Sequence, residues 1–223
     1  MKKTKKNITI DGPAASGKTS IGQKVASLMG YKFLDTGLMY RAIALKSLIS
    51  SLEVYEEDKI VELCHRTDIA FNTNTKEILV DGENITDQLR ERHVDQRVSL
   101  IAKLPNIRKV LVSQQRVIAD RNDIVMVGRD IGTVVLPGAK YKFYLTASLE
   151  IRAERRYKEF TGSKTKILYD EILFEMEERD RVDKSRKDSP LKPAKDAVTV
   201  DTTEMVFETA VGTILNVIKG TIT

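Results

Sequence analysis

Five short apolar segments rich in β-branched residues lie along the chain, and none of them alternates between a buried and a solvent face. Between most of them, apolar residues recur at helical spacing, as at Ile21, Val25 and Leu28. Strands that are apolar on both faces and alternate with helices predict a parallel sheet covered on both sides, with ligands at the carboxyl ends of its strands. The predicted strands are residues 7–11, 31–35, 124–128, 141–145 and 197–201.

Two stretches interrupt this alternation and predict insertions into the core. Residues 66–104 contain two strand-like segments, 68–72 and 77–81, separated by polar residues, which predicts an antiparallel hairpin. Residues 152–188 contain 21 Asp, Glu, Lys and Arg among 37 positions. So many charges leave little apolar surface to bury and favour a helical flap over a site. Pro105 is expected to open a long helix that returns to the core.

The composition is that of one soluble domain with a smaller insertion: 223 residues, 41% hydrophobic and 31% charged. It excludes disordered, collagen-like and coiled-coil proteins. A chain of this length can build a core without a disulfide or metal, and its single cysteine, Cys64, cannot form an internal disulfide. No apolar run approaches the ~20 residues of a membrane span, and the lysine-rich residues 2–6 precede a strand instead of a secretory signal. We therefore expect a cytoplasmic protein.

The net charge of +5 favours anionic partners such as nucleic acid or nucleotide phosphates. The chain has no tryptophan, only 6% aromatic residues and no continuous basic stripe, so it offers few side chains for base stacking. Nucleotide phosphates are therefore favoured over nucleic acid.

A phosphate-binding loop follows the first predicted strand and precedes an amphipathic helix. Its glycines let backbone N–H groups converge on phosphate oxygens, and the helix N-terminus adds partial positive charge. Lys18 is expected to reach the β- and γ-phosphates of a nucleotide, while the Thr19 hydroxyl faces Mg²⁺. The pattern G-x-x-x-x-G-K-[ST] is matched by Gly12, Pro13, Ala14, Ala15, Ser16, Gly17, Lys18 and Thr19.

Hydrolytic switches, motors and small-molecule kinases all use such a loop. The chain is too short for most motors, and it lacks the Asp-x-x-Gly and Asn-Lys-x-Asp patterns where a GTPase needs them. A small-molecule kinase is therefore favoured. Such an enzyme has to bind an anionic acceptor in line with the γ-phosphate and exclude water, and arginines can serve both needs.

Three further blocks hold candidate arginines. Two of them directly follow predicted strands, so they are expected at the rim of the sheet where ligands bind. In the third, Arg179, Asp183 and Arg186 share one face if the segment is helical. The blocks read DTGLMYR (35–41), GRDIGTVV (128–135) and RDRVDKSR (179–186), the last followed by SPL (189–191).

With these blocks in this order, the sequence resembles the bacterial cytidylate kinases over nearly its whole length, a match far more specific than the phosphate loop alone. The resemblance implies transfer of a phosphoryl group from ATP, with Mg²⁺, to CMP or dCMP, which gives CDP or dCDP. It also implies an α/β fold, with a P-loop kinase core whose five-stranded parallel sheet is flanked by helices. Two insertions are implied as well: a lobe that binds the nucleoside monophosphate and contains a small antiparallel sheet, and a helical lid.

The core is expected at residues 1–65, 105–151 and 181–223, the monophosphate-binding lobe at 66–104 and the lid at 152–180. The partners implied are small molecules, with neither a membrane nor a nucleic acid, and we expect a monomer.

The resemblance assigns site residues by position. Lys18, Arg129 and Arg179 are the expected catalytic residues, and Mg²⁺ is expected on Thr19, through water with Asp35. The ATP site is expected to comprise Gly12, Pro13, Ala14, Ala15, Ser16, Gly17, Lys18, Thr19, Ser20, Arg152 and Arg156. The CMP site is expected to comprise Thr36, Tyr40, Arg41, Ser99, Arg108, Arg129, Asp130, Arg179, Asp183 and Arg186.

These residues have different implied roles toward CMP. The phosphate is held by Arg41 and Arg129 with Thr36 and Arg179, Tyr40 lines the pocket, and Asp183 accepts from the sugar hydroxyls. The cytosine ring is faced by Ser99, Arg108, Asp130 and Arg186. Cytosine presents an amino donor beside two acceptors, so a carboxylate and a hydroxyl can receive its amino group while an arginine donates, whereas uracil would leave the carboxylate unpaired.

Several alternatives stay open. Taken alone, Ser99 and Arg108 suit a helix surface, and Asp130 suits an ion pair with Arg129. The lid arginines Arg152, Arg155 and Arg156 suit a solvated helix face, and Asp35 suits a structural cap. Many members of the family carry Ser or Gly where this chain has Ala14 and Ala15, so a hydroxyl contact to the substrate phosphate is missing. The alternative functions are a kinase for another small acceptor and a nucleotide-dependent nucleic-acid-binding protein.

Overall fold

The computed structural model describes residues 6–71, 77–161 and 167–220. Five strands follow the predicted segments to within one residue: β1 Asn7–Asp11, β2 Lys32–Asp35, β6 Ile124–Gly128, β7 Tyr141–Thr146 and β8 Val198–Asp201. They form one parallel sheet in the order β2-β6-β1-β7-β8. Asp11 pairs with Gly128 on one side and Tyr144 on the other, so the carboxyl ends of β1, β6 and β7 lie side by side. The predicted parallel sheet is confirmed.

Helices connect these strands as predicted. They are α1 Lys18–Met29, α2 Thr36–Ile49, α3 Glu57–Arg66, α4 Arg92–Ile101, α5 Pro105–Arg121, α6 Leu149–Thr161, α7 Tyr169–Ser185 and α8 Phe207–Lys219. The helix predicted from Pro105 is confirmed. Apolar residues of β1, β6 and β7 pack against α1 and α8 in one core, which includes Ile10, Val25, Val127, Phe143 and Ile214. This packing fixes the start of α1, and with it the phosphate loop.

The described residues form two compact units, one made of residues 6–33 and 123–220 and the other of residues 34–122. The second unit contains α2 to α5 and a small antiparallel sheet of β3 Ile69–Phe71, β4 Ile78–Val80 and β5 Glu83–Asn84, in that order. The predicted hairpin is confirmed, and β5 extends it, while its connection, residues 72–76, lies outside the described residues. The finer boundaries at 66–104 and 152–180 remain predictions.

The charge-dense segment buries more than its composition suggests. It is helical as expected, but α6 and α7 enclose an apolar cluster of Ala153, Ile167, Ile172 and Met176, each less than a tenth exposed. The expectation that this segment has little to bury was wrong, because Ala153 of α6 packs with Ile172 and Met176 of α7, while other apolar residues such as Phe174 stay exposed. Among the described residues, no helix has the length and apolar character needed to cross a membrane.

Helix α1 packs closely against β6 at Gly22, and this contact can be tested. A Cβ on Gly22 of α1 would lie 2.6 Å from Val127 Cγ1 on β6. We expect Gly22→Ala to lower the free energy of unfolding by about 1–3 kcal/mol, because overpacking outweighs the better helix propensity of alanine. The control is Gly212→Ala in α8, where a Cβ meets nothing within 4 Å. It should raise stability by up to about 1 kcal/mol. Urea denaturation measures both, and a destabilised Gly212→Ala beside a neutral Gly22→Ala would contradict the packing.

Candidate active site

The phosphate loop has the backbone shape that anion binding needs. Gly17 and Ala15 have φ angles of 88° and 54°, in the left-handed region. A Cβ on Gly12 would lie 2.1 Å from the carbonyl oxygen of Leu145, so only glycine fits there. No side chain caps the N-terminus of α1, and its first turn carries no acidic residue. The positive end of the helix therefore remains available to a phosphate.

The polar side chains of the loop are held close to its backbone. Lys18 is 7% exposed, and its Nζ donates to the carbonyl oxygen of Pro13 at 2.8 Å. Ser20 Oγ donates to the carbonyl oxygen of Gly17 at 3.0 Å, and Thr19 is exposed. Ser16 Oγ is buried and has no hydrogen-bond partner among the described residues. A buried hydroxyl without a partner is unusual, and a ligand oxygen is one way to satisfy it.

Two arginines of α6 donate hydrogen bonds to backbone carbonyl oxygens of the phosphate loop. Arg152 is 5% exposed, donates to the carbonyl oxygens of Ala147 at 3.0 Å and Ala14 at 3.3 Å, and pairs with Asp180 at 2.7 Å. Arg155 donates to the carbonyl oxygen of Ala15 at 3.5 Å. Both guanidinium groups thus bind loop carbonyl groups, so neither lies on a solvated helix face.

Thr202, in the turn after β8, joins these contacts. Its carbonyl oxygen accepts from Arg155 at 2.6 Å, and its Oγ1 donates to the carbonyl oxygen of Ser16 at 3.2 Å.

Arg156 does not join these contacts and pairs with Glu159 at 2.7 Å. The assignment of Arg152 and Arg156 to ATP stays a prediction.

A buried carboxylate at the end of α7 is surrounded by arginines. Asp183 is 2% exposed, accepts from Arg129 Nε at 3.0 Å and also pairs with Arg186. Burial alone would raise the pKa of Asp183, but the guanidinium groups of Arg129, Arg186 and Arg179 outweigh it and hold that pKa below its usual value. The helix predicted for this block is confirmed through Ser185, and Arg186 caps its end. Three arginines around one carboxylate leave an excess of positive charge that suits an anionic substrate.

Another buried carboxylate lies at the end of β1. Asp11 accepts from the backbone N–H groups of Ile131 and Gly132 at 2.8 and 2.7 Å. Burial raises its pKa to about 6, although these two hydrogen bonds oppose the rise. Asp11 thereby connects the strand before the phosphate loop to the segment that follows Arg129 and Asp130.

In the unit of residues 34–122, the predicted acceptor residues form two groups. Arg41 donates to the carbonyl oxygen of Leu89 at 2.7 Å and pairs with Asp95, whose own carbonyl oxygen accepts from Ser99 Oγ at 3.4 Å. Each of these contacts involves α4 or the short turn before it, so Arg41 and Ser99 are placed around one aspartate.

Tyr40 and Arg108 form the second group. Arg108 is 6% exposed, and its guanidinium lies 5.8 Å from the centre of the Tyr40 ring, within cation–π range. The alternative of a helix-surface position is therefore wrong for Arg108. Thr36 is buried at the start of α2, and Asp35 caps this helix by accepting from the Gly37 N–H at 3.0 Å.

Comparisons with known proteins identify the family of this chain. The sequence model that describes cytidylate kinase matches residues 8–220. The chain belongs to the cytidylate kinase family. The cytidylate kinase of Caldanaerobacter subterraneus subsp. tengcongensis is 43% identical over 212 residues, which are 95% of this chain and 94% of that protein. The cytidylate kinase of Desulforamulus reducens is also 43% identical, over 94% of this chain and 95% of its own length.

Solved structures support the fold. An uncharacterized protein from Eubacterium ventriosum aligns with a TM-score of 0.54 at 13% identity, over 97% of this chain and 99% of that one. The shikimate kinase of Bacteroides thetaiotaomicron aligns with a TM-score of 0.51 at 10% identity, over 96% and 98%. At such identities the likeness extends to the fold alone.

The predicted site residues of this cytidylate kinase family member divide between the two units. The phosphate loop, Arg129, Asp130, Arg179, Asp183 and Arg186 lie in one unit, and Thr36, Tyr40, Arg41, Ser99 and Arg108 lie in the other. In the described part of the chain, no cluster of three or more His, Cys, Asp or Glu is placed to hold a metal ion.

Sequence reasoning missed the residues that hold these groups in place. Asp11 and Thr202 end or follow strands at the edge where ligands bind, and that position was a signal that could have identified them. No local sequence pattern marks Asp95 or Asp180 as a partner of an arginine. The one indication is that Asp95 lies four residues before Ser99 and that Asp180 directly follows Arg179.

We expect Asp183→Asn to lower the free energy of unfolding by about 3 kcal/mol near neutral pH, because it leaves partly buried arginines beside a neutral group. The lowered pKa of Asp183 means that its charge stabilises the native state above the pKa of the unfolded chain. This stabilisation is lost as the pH falls through the native pKa. The difference between wild type and variant should therefore shrink below about pH 4.

Urea denaturation as a function of pH measures this difference. The control is Asp196→Asn, whose exposed carboxylate pairs with Lys142 at 2.7 Å and should matter much less. A loss for Asp183→Asn that is independent of pH would contradict the charge cluster.

Proposed function

We propose that this chain transfers the γ-phosphoryl group of ATP to CMP or dCMP, giving ADP and CDP or dCDP. One observation supports this most directly: a glycine-cradled phosphate loop and the partly buried arginines around the buried Asp183 belong to the same compact unit. Phosphoryl transfer needs little covalent chemistry from the protein, because positioning and charge neutralisation provide most of the rate.

The donor side follows from the loop. The uncapped start of α1, the glycine cradle at Gly12 and the buried Ser16 hydroxyl fit a nucleotide phosphate. Lys18 would exchange its contact with Pro13 for the β- and γ-phosphates. Thr19 would hold Mg²⁺, which neutralises phosphate charge when bound, with Asp35 reaching the metal through water.

The acceptor residues have the roles implied by the family. The CMP phosphate would be held by Thr36, Arg41, Arg129 and Arg179. Asp183 has lone pairs left for the sugar hydroxyls once Arg129 and Arg186 are bound. The base would be recognised by Ser99, Arg108, Asp130 and Arg186, with Tyr40 lining the pocket. A monomeric state and a cytoplasmic location remain predictions.

The activity can be tested by a coupled assay of ADP release with CMP, dCMP, UMP and AMP. We expect turnover with the two cytidylates and negligible ATP hydrolysis without an acceptor, since the γ-phosphate then lacks an aligned nucleophile. Lys18→Ala is the control for the phosphate loop. It should lower the rate by at least about 100-fold, or roughly 3 kcal/mol of transition-state stabilisation. Rapid ATP hydrolysis without any monophosphate would count against a kinase.

Base choice gives a sharper test. Asp130 is 6% exposed, and Asp130→Asn replaces an acceptor by an amide that can also donate to a uracil carbonyl. The kcat/KM ratio of CMP to UMP should fall by an amount equivalent to about 1–3 kcal/mol. Arg129→Ala is the comparison, because it should lower both substrates together through their shared phosphate. If Asp130→Asn also lowers both equally, Asp130 only supports Arg129.

A further inference from the structure

Asp11 is a buried carboxylate to which the family resemblance assigns no role. It is 3% exposed and ends β1 directly before the phosphate loop. Oδ1 accepts from the N–H of Ile131 and Oδ2 from the N–H of Gly132. Both oxygens therefore bind a segment 120 residues away in sequence, and that segment begins directly after Arg129 and Asp130.

The backbone that Asp11 binds needs these acceptors. Ile131 and Gly132 form the first turn of a short π-helix, Ile131–Val135. The first N–H groups of a helical segment have no carbonyl partner within it, so an acceptor has to come from elsewhere. Asp11 supplies one oxygen to each of the two N–H groups.

The contact is also tightly packed. A Cβ on Gly132 would lie 2.9 Å from Thr9 Oγ1 and 3.3 Å from Asp11 Oδ2, so this turn lies directly against β1. Arg129 lies two residues before this turn, and its Nε donates to Asp183 at 3.0 Å. A shift of the turn would move Arg129 away from that position.

We propose that Asp11 is a positioning residue for the acceptor nucleotide. Asp11 holds the backbone after Asp130 and thereby orients Arg129 and Asp130 relative to the phosphate loop. This proposal rests on the proposed function, because Arg129 and Asp130 are the residues proposed to bind the phosphate and base of CMP. Asp11 acts through the backbone and touches neither nucleotide.

The charge of Asp11 makes this positioning sensitive to pH. The pKa of about 6 is set by burial, and the charged or titratable groups that face the carboxylate are Lys18 of α1, Asp130 of the turn and Tyr144 of β7. Once protonated, one of its oxygens becomes a donor and faces an N–H group that also donates. Positioning therefore weakens as the pH falls through about 6.

The kinetic test uses Asp11→Asn, which keeps the shape of the side chain but retains a single acceptor oxygen. We expect the KM for CMP to rise by roughly tenfold or more, with a smaller change in the KM for ATP. The matched control is Asp123→Asn. Asp123 accepts from the N–H of Lys6 at 2.8 Å, at the opposite end of the same two strands. Its KM for CMP should stay within about twofold of wild type.

The pH readout separates positioning from a general loss of structure. The ratio of kcat/KM between wild type and Asp11→Asn should decline between about pH 8 and about pH 5.5, as the wild-type carboxylate is protonated. Titration of the substrate phosphates cancels in this ratio. A constant ratio, or equal rises in the KM values for ATP and CMP, would overturn the proposal.

A measurement without nucleotides distinguishes this inference from the proposed function. In the free wild-type protein, the amide proton resonances of Ile131 and Gly132 should titrate with a midpoint of about pH 6, and in Asp11→Asn they should not. Amide resonances of Ile131 and Gly132 that are the same in wild type and in Asp11→Asn would refute the contact itself. If these resonances titrate but the protein shows no CMP-dependent turnover, the proposed function is refuted. The role of Asp11 in positioning the acceptor nucleotide is then refuted with it.

Discussion

The phosphate loop can attract an anion only if its carbonyl oxygens are kept away from the space that its N–H groups face. Five successive carbonyl groups of the loop are bound by side chains. The pairs are Pro13 with Lys18, Ala14 with Arg152, Ala15 with Arg155, Ser16 with Thr202 and Gly17 with Ser20. The donors come from α1, from α6 and from the turn after β8, so the shape of an eight-residue motif depends on segments nearly 190 residues apart.

This dependence explains why charged side chains of α6 and α7 are buried. Arg152 can lie buried against the loop because Asp180 of α7 neutralises it, and the apolar cluster between the two helices excludes water from the pair. Ala14 and Ala15 pack against the same cluster. Small apolar side chains at these positions therefore serve the packing of α6 and α7.

The strands, the phosphate loop, the hairpin and the helix from Pro105 could be predicted because each has a local signal: an apolar run, a glycine pattern, a turn or a proline. The candidate arginines were predicted from motifs. Their partners were not. Asp95, Asp180 and Asp11 bind groups 54, 28 and 120 residues away, and no periodicity in the sequence records which carboxylate meets which donor.

The sequence by itself determined the class of fold, the family and the positions of the phosphate loop and of the arginine blocks, because these depend on short-range patterns and on motifs that are continuous in the chain. Only the tertiary structure decided which charges are buried and how each is compensated. Burial makes an unpaired charge costly, so every buried arginine or aspartate needs a partner. That partner is chosen by the packing of strands and helices, which places Asp11 beside Gly132 and Asp183 beside Arg129.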